Sequence, residues 1–242
     1  MATKKDVTTY YDKFSQHQET VALNDRHIYL FEKLKTLGLH SGSSVLELGC
    51  GIGTITQLLA NIIDSGTIEA IDISPESILK AKASVPPTSH IHIEAADILS
   101  YTPKRPRFDF ITLFDVLEHI PEEHHREIFA RIGPLLHQNA YLVINIPHPE
   151  SIKYDRIHRP EYLQVIDQPI SFVDLMNAAN DAGLELFHFE TLSLWQVDDY
   201  QSMIFRSTRP FKDEWVSEKR SVGEKINKKI ETIRRKLKYG TK

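Results

Sequence analysis

A glycine-rich turn at residues 45–53 is the segment of this chain best suited to hold a ligand. Gly49, Gly51 and Gly53 alternate at the end of a short apolar run, and Glu47 precedes them. Glycine permits a sharp turn and lets the backbone approach a ligand where a Cβ atom would collide. Nineteen residues after Gly53, Asp72 ends a second apolar run, where a carboxylate can accept both hydroxyls of a ribose. These residues predict a site for a nucleotide-like ligand.

The spacing of the glycines disfavours a nicotinamide dinucleotide as that ligand. A G-x-G-x-x-G fingerprint that starts at Gly49 would need its third glycine at Thr54, and one that starts at Gly51 would need it at Thr56. The third glycine is absent in both registers, so a dinucleotide-binding fold fits poorly.

Four segments resemble, in the family's order over about residues 40–150, the motifs of class I S-adenosylmethionine-dependent methyltransferases. They are Glu47-x-Gly49-x-Gly51-x-Gly53, Asp72, Ala96-Asp97-Ile98, and a stretch from Phe108-Asp109-Phe110 to Leu117-Glu118-His119-Ile120. The last stretch is similar to the small-molecule branch, the O-methyltransferases of the ubiquinone-biosynthesis type. The resemblance implies S-adenosylmethionine as cofactor and S-adenosylhomocysteine as product, with Asp72 on the ribose and Asp97 on the adenine amino group.

The resemblance also implies a set of cofactor contacts, which consists of Glu47, Gly49, Cys50, Gly51, Gly53, Asp72, Ile73, Asp97, Ile98, Phe114 and Asp115. In this family, N-terminal helical elements often cover the cofactor. We therefore expect Tyr11 or Phe14 to lie against it and Arg26 to lie near its carboxylate.

Two histidines are candidates for a general base. Methyl transfer from a sulfonium needs no general acid, because the leaving thioether is neutral, but the acceptor's proton must be taken up. Histidine suits this role near neutral pH. His119 follows the fourth predicted strand and His148 follows the fifth. Each could equally be a pocket, capping or loop residue without proton chemistry.

Residues 148–168 are long for a plain connection, and we predict that they form an acceptor-binding loop. Besides His148, this segment carries Tyr154, Arg156, His158 and Arg159, which together with His119 are the predicted substrate-binding residues. Such groups suit a hydroxylated small molecule or a sugar or glycan. The sequence thus predicts O-methylation of a hydroxyl, with nitrogen or carboxylate acceptors and a catalytically inactive cofactor-binding scaffold as the alternatives.

Apolar runs alternate with helical segments along the chain, which predicts an α/β, doubly wound, Rossmann-like fold. The last two predicted strands, 185–194 and 201–207, are joined by only about six residues, too few for a parallel crossover. They should therefore pair antiparallel, which agrees with the family fold, a seven-stranded, mostly parallel sheet with an antiparallel final strand. We predict a helical cap over residues 1–40, a methyltransferase domain over 41–210 with an acceptor-binding insertion near 148–170, and a basic amphipathic helix over 211–242.

The composition and the remaining motifs exclude several classes. The single cysteine, Cys50, rules out an internal disulfide and a cysteine-based zinc site, and no metal site is predicted. Nucleic-acid amino-group methylation is disfavoured, because residues 114–119 lack the (Asp/Asn)-Pro-Pro-(Tyr/Phe) motif of those enzymes. No leader-like segment and no apolar run of about 18 residues is present, so a cytoplasmic location is expected.

Charge is distributed unevenly along the chain. Residues 218–242 carry a net charge of +7, and the rest carries −11, which argues against a body that wraps nucleic acid. In the basic segment, five apolar residues with spacings of 4, 4, 3 and 4 form one helical stripe: Val222, Ile226, Ile230, Ile233 and Leu237. This pattern is typical of a helix that docks on the inner membrane face or on a partner. Packing on the body or on a second subunit of a homodimer is the other interpretation.

Overall fold

The structure is a computed structural model, which describes residues 4–17, 23–211 and 221–240. In these ranges seven strands form one sheet: β1 (Ser44–Leu48), β2 (Thr67–Asp72), β3 (Ile91–Ala95), β4 (Phe108–Phe114), β5 (Leu136–Pro147), β6 (Leu184–Leu192) and β7 (Tyr200–Ser207). The α-helices in the same ranges are α1 (Lys4–His17), α2 (Asp25–Thr36), α3 (Thr54–Ala60), α4 (Pro75–Ser84), α5 (His125–Ile132), α6 (Pro149–His158), α7 (Phe172–Asp181) and α8 (Val222–Tyr239).

The strand order is β3-β2-β1-β4-β5-β7-β6. Strands β1 to β5 pair parallel, and β7 runs antiparallel to both β5 and β6. This topology confirms the predicted fold class, including the antiparallel final strand. Because the order reverses beside β1, the carboxyl ends of β1, β2 and β4 enclose the crevice where open parallel sheets bind ligands.

An interior strand of the sheet, β1, is buried on both faces. All five residues of β1 are buried, with Val45 in one apolar cluster and Leu46 and Leu48 in the other. Successive side chains of a strand point to opposite faces, so a continuous apolar run is what a two-sided core requires.

Two helices, α1 and α2, lie within the predicted helical cap over residues 1–40. Helix α1 is joined to α4 by a hydrogen bond from the Ser74 hydroxyl to Asp12 Oδ1 (2.6 Å), and Lys80 donates to the carbonyl of Ser15. Helix α2 begins at a capping box in which the Asn24 side chain accepts from the His27 amide (3.1 Å). Residues 18–22 lie outside the described part of the chain.

The prediction of a loop over residues 148–168 is wrong for the first half of this segment, because Pro149–His158 forms α6. His148 is the N-cap residue, and its Nδ1 accepts a hydrogen bond from the Glu150 amide (3.1 Å), while Pro149 occupies the first helical position. Proline is favoured there because its missing N–H would have no partner inside the helix.

The described residues fall into two compact units, divided between Thr208 and Arg209. The sheet and helices α1–α7 belong to the first unit, and α8 belongs to the second. Residues 212–220, which include two bases of the predicted basic segment, Lys219 and Arg220, lie outside the described residues. Among the helices that the structure describes, none is long and apolar enough to cross a membrane.

Candidate active site

The glycine turn after β1 is held against β2. The amides of Gly49 and Cys50 both donate to the carbonyl of Ile71, at 2.8 and 2.9 Å. Gly49 has φ +81°, and a Cβ atom there would lie 2.3 Å from Cγ2 of Val116. The turn therefore requires glycine at this position, both for its backbone conformation and for the close approach of the segment after β4.

Asp72, at the end of β2, faces this turn. Its Oδ2 accepts from the Gly51 amide and its Oδ1 from the Ser74 amide, both at 2.9 Å. Burial raises the pKa of Asp72, although these amide hydrogen bonds oppose the shift. The carboxylate is thus fixed in orientation at the carboxyl edge of the sheet.

A cavity of about 420 Å³ lies over the carboxyl ends of β1 to β4. Its walls come from α1, from the turns after β1, β2 and β3, and from the segment after β4. Eight of the predicted site residues line it: Tyr11, Gly49, Asp72, Ile73, Asp97, Ile98, Asp115 and His119. The cavity also has a wall that the sequence did not predict, made of Val7, Leu99, Ile120 and Ile166 among others.

Other predicted cofactor residues lie behind the cavity wall. Glu47 is buried and accepts from the Thr56 hydroxyl (2.6 Å), and burial raises the pKa of Glu47 to about 8. Cys50 is also buried, and its desolvation raises the pKa of the thiol. Gly53 caps the start of α3, while Phe114 packs in the core. None of these four residues lines the cavity.

Neither Phe14 nor Arg26 lines the cavity, but Arg26 pairs with a residue that does. Phe14 is 41% exposed and stacks on Tyr10, so of the two aromatic candidates on α1 only Tyr11 lines the cavity. Arg26 forms an ion pair with Asp115, whose backbone has φ +54°. Asp115 directly follows β4, and its carboxylate faces Arg26 on α2.

His119 is held between two acids at the edge of the cavity. Its Nδ1 lies 2.9 Å from Asp167 Oδ1 and 2.6 Å from the carbonyl of Ile166, and its Nε2 lies 3.8 Å from Glu118 Oε1. Burial lowers the pKa of His119, but the two carboxylates outweigh this and raise it to about 9. A pKa of about 9 favours the imidazolium at neutral pH, which counts against a general-base role for His119.

Tyr11 lines this end of the cavity, and Glu118 is buried beside it. The Tyr11 ring centroid lies 5.8 Å from that of His119. Burial and the nearby carboxylates raise the pKa of Tyr11, so its hydroxyl stays protonated. Glu118 is 1% exposed, and among the described residues neither of its carboxyl oxygens has a hydrogen-bond partner. Burial raises the pKa of Glu118.

His148 lies in a different cavity from His119. This second cavity, of about 260 Å³, is lined by His148, Tyr154 and Arg159 together with residues 196–199. His148, the second candidate base, does not share a cavity with His119, because its ring turns back to cap α6 and its amide donates to the carbonyl of Asp199 (2.8 Å). Two other predicted acceptor residues line neither cavity: Arg156 donates to the carbonyl of Asp167, and His158 packs on Tyr154.

Asp167 and Glu118 are the residues that sequence reasoning missed as site residues. Glu118 lies in the motif after β4, beside His119, so its position was a usable signal. Asp167 lies 48 residues after His119, and only the folded chain brings the two together. Among the described residues, no group of three or more His, Cys, Asp or Glu side chains could hold a metal ion.

Comparison with known proteins agrees with this geometry. A family described as a methyltransferase domain matches residues 16–188. Trans-aconitate 2-methyltransferase of Rhodococcus jostii is 30% identical over 117 residues, which are 48% of this chain and 43% of that protein. The chain thus matches less than half the length of this curated relative.

Two solved structures, both with bound S-adenosylhomocysteine, share the fold. The N-methyltransferase NodS of Bradyrhizobium japonicum has a TM-score of 0.66 at 19% identity, covering 84% of this chain and 99% of that one. The magnesium protoporphyrin IX methyltransferase of Synechocystis has a TM-score of 0.66 at 15% identity, covering 85% and 99%. Because the family match spans residues 16–188 and the sheet has the topology described above, the chain belongs to the methyltransferase domain family, as a member of the class I, S-adenosylmethionine-dependent methyltransferases.

Proposed function

We propose that this chain methylates an oxygen of a small carboxylic acid, with cofactor and acceptor together in the cavity over β1 to β4. The observation that carries this proposal is the position of His119 at the edge of that cavity, where its Nδ1 lies 2.9 Å from Asp167 Oδ1 and its pKa is raised to about 9. An imidazolium there attracts an anion and cannot accept a proton.

The cavity fits the cofactor of the family. Gly49 lets the backbone come close where a Cβ would collide, and Asp72 offers an oriented carboxylate for two ribose hydroxyls. Asp97 lies beside the apolar side chains of Ile98 and Leu99, which suits an adenine ring and its amino group. Tyr11 on α1 closes the cavity from the other side. S-adenosylmethionine supplies an electrophilic methyl group on a positively charged sulfur.

A carboxylate acceptor needs no base from the protein. Its pKa is about 4, so it is already a deprotonated nucleophile at neutral pH. His119 would donate from the cavity wall to one carboxylate oxygen, and the neutral Tyr11 hydroxyl can donate as well. The name of the R. jostii relative gives a carboxylate, trans-aconitate, as its substrate, which supports the same acceptor class.

A hydroxyl acceptor, on a small molecule or a sugar, is less well supported. An alcohol must lose its proton during transfer. His119 is already protonated, and His148 lies in the second cavity. A nitrogen acceptor such as a neutral amine would gain nothing from a neighbouring imidazolium, because its nitrogen becomes positively charged during the transfer and like charges repel.

The acceptor class can be tested by the stability of the product. The enzyme would be incubated with S-adenosylmethionine and matched pairs of small acids and alcohols, and products read by mass spectrometry. A methyl ester releases methanol in mild alkali and a methyl ether does not, so the two product classes separate chemically. Alkali-stable products from alcohols alone would overturn the proposal. Calorimetric binding of S-adenosylmethionine without turnover on either set would favour the inactive scaffold.

A further inference from the structure

Helix α8 is an amphipathic helix whose N-terminus is capped by neighbouring side chains. Ser221 and Glu224 form a capping box, in which the Ser221 amide donates to Glu224 Oε2 (2.8 Å) and the Ser221 hydroxyl accepts from the Glu224 amide (3.3 Å). Eighteen residues follow this cap without interruption. The helix is thus long enough to present a continuous face.

That face is an apolar stripe, which consists of Val222, Ile226, Ile230, Ile233 and Leu237. At about 100° per residue, these side chains fall within roughly 80° of the helix circumference. All five are exposed, from 42% for Ile230 to 81% for Leu237. Exposed aliphatic side chains in one row are typical of a surface that binds a protein or a membrane.

The charges of α8 are arranged around this stripe. The helix holds seven bases and two acids, a net charge of +5. On the helical wheel, Lys229 and Arg234 flank the apolar stripe on its two sides, whereas Glu224 and Glu231 lie roughly opposite it. Glu231 lies 3.7 Å from both Lys228 and Arg235 on that far side. Bases therefore border the apolar stripe and acids face away from it.

We propose that α8 docks on an anionic lipid surface, with the apolar stripe among the acyl chains and the bordering bases at the headgroups. Lysine and arginine have aliphatic stems that can lie along apolar surface while their charges reach the phosphates. Nucleic acid would use the bases but would leave the aliphatic stripe exposed to water. A groove on a protein would use the stripe but would not require bases along both of its borders. The lipid surface alone uses both features.

Flotation with vesicles tests this proposal on the full chain. Phosphatidylcholine vesicles with and without phosphatidylserine would be compared at about 0.1 M and about 1 M salt, where the screening length falls from roughly 10 to 3 Å. The wild type should float with the anionic vesicles at low salt and remain soluble with the neutral ones. The I226Q/I233Q variant should partition at least about tenfold more weakly, since it removes two aliphatic side chains from the stripe.

A matched control introduces glutamine at two positions outside the apolar stripe. The N227Q/T232Q variant adds two glutamines away from the apolar stripe and should float like the wild type, with circular dichroism showing equal helix content for all three proteins. Equal recovery of wild type and I226Q/I233Q in the soluble fraction would overturn the proposal. So would a wild-type dimer, seen by light scattering without lipid, that I226Q/I233Q converts to a monomer, because the stripe would then be an interface between copies of this chain.

Discussion

The charge state of His119 makes a direct prediction for the pH dependence of catalysis. If the imidazolium binds the acceptor, kcat/KM should be level through neutral pH and fall as His119 loses its proton, near its pKa of about 9. A general base would give the opposite profile, in which activity rises as the histidine becomes neutral. The sign of the slope between pH 6 and 8 therefore separates the two roles, since an unperturbed histidine titrates at about 6.5.

The Asp167→Asn variant tests the cause of this shift. Asparagine keeps an oxygen that can accept from His119 Nδ1 but removes the charge now 2.9 Å away. An opposite charge at this distance is worth about 1–3 pKa units, or roughly 1.4–4 kcal/mol of preference for the imidazolium. Burial, which lowers the pKa of His119, would then be opposed mainly by Glu118. The descending limb of the profile should move down by about 1–3 pH units.

Two measurements check this result. The first is kcat/KM with a small acid over the full pH range, and the second is titration of the His119 Cε1 proton by NMR, assigned with the His119→Gln variant. Asp64→Asn is the matched control, because Asp64 is exposed and precedes β2 at the opposite edge of the sheet. An unchanged descending limb in Asp167→Asn, or a wild-type profile that rises through pH 6–8 to an alkaline plateau, would refute the reasoning.

Three further predictions concern the cofactor half of the cavity and the buried acid behind it. Gly49→Ala should weaken S-adenosylmethionine binding by at least about tenfold in calorimetry, because its Cβ would lie 2.3 Å from Val116, whereas the more open Gly51→Ala should lose less. Asp72→Asn should weaken the same binding by about ten- to a hundredfold, because charged hydrogen bonds are worth about 1.5–3 kcal/mol, and unchanged affinity would exclude Asp72 from ribose recognition. Glu47→Gln should reduce the pH dependence of thermal stability. The fold raises the pKa of Glu47 to about 8. Its neutral carboxyl therefore contributes its full stabilisation of the folded state below about pH 4.5, and this contribution is lost as the pH rises through 8. The wild-type Tm should fall across that window more than that of the variant, and parallel Tm curves would contradict the assignment.

The strands of the sheet could be predicted from sequence because each one depends on a local pattern. Continuous apolar runs mark strands buried on both faces, and the short link before β7 requires an antiparallel pair. Helix α6 was missed because its N-cap is a histidine, which seldom caps a helix, although Pro149 at the first helical position was a usable signal.

The two halves of the candidate site, for the cofactor and for the acceptor, also differ in how far the sequence could predict them. The cofactor half was predictable because Gly49, Asp72 and Asp97 each follow a strand, and parallel strands bring their carboxyl ends to one edge. The acceptor half was not, because the raised pKa of His119 depends on Asp167 as well as on the adjacent Glu118, and Asp167 comes from a distant segment. A histidine in a motif predicts proton chemistry, but only its neighbours in space decide whether it starts neutral or charged.

The wall around His119 provides hydrogen-bond donors in place of proton acceptors. Asp115 is paired with Arg26 and Asp167 with His119, so both carboxylates are already engaged by cations. The Tyr11 hydroxyl is held neutral by its raised pKa, so it can donate and is a poor base. An acceptor that arrives with its proton would need a base, and Glu118, whose carboxyl oxygens have no hydrogen-bond partner among the described residues, is buried and does not line the cavity. An acceptor that arrives as an anion would find an imidazolium and a phenol that can donate to it, which is why a carboxylate matches this cavity better than an alcohol.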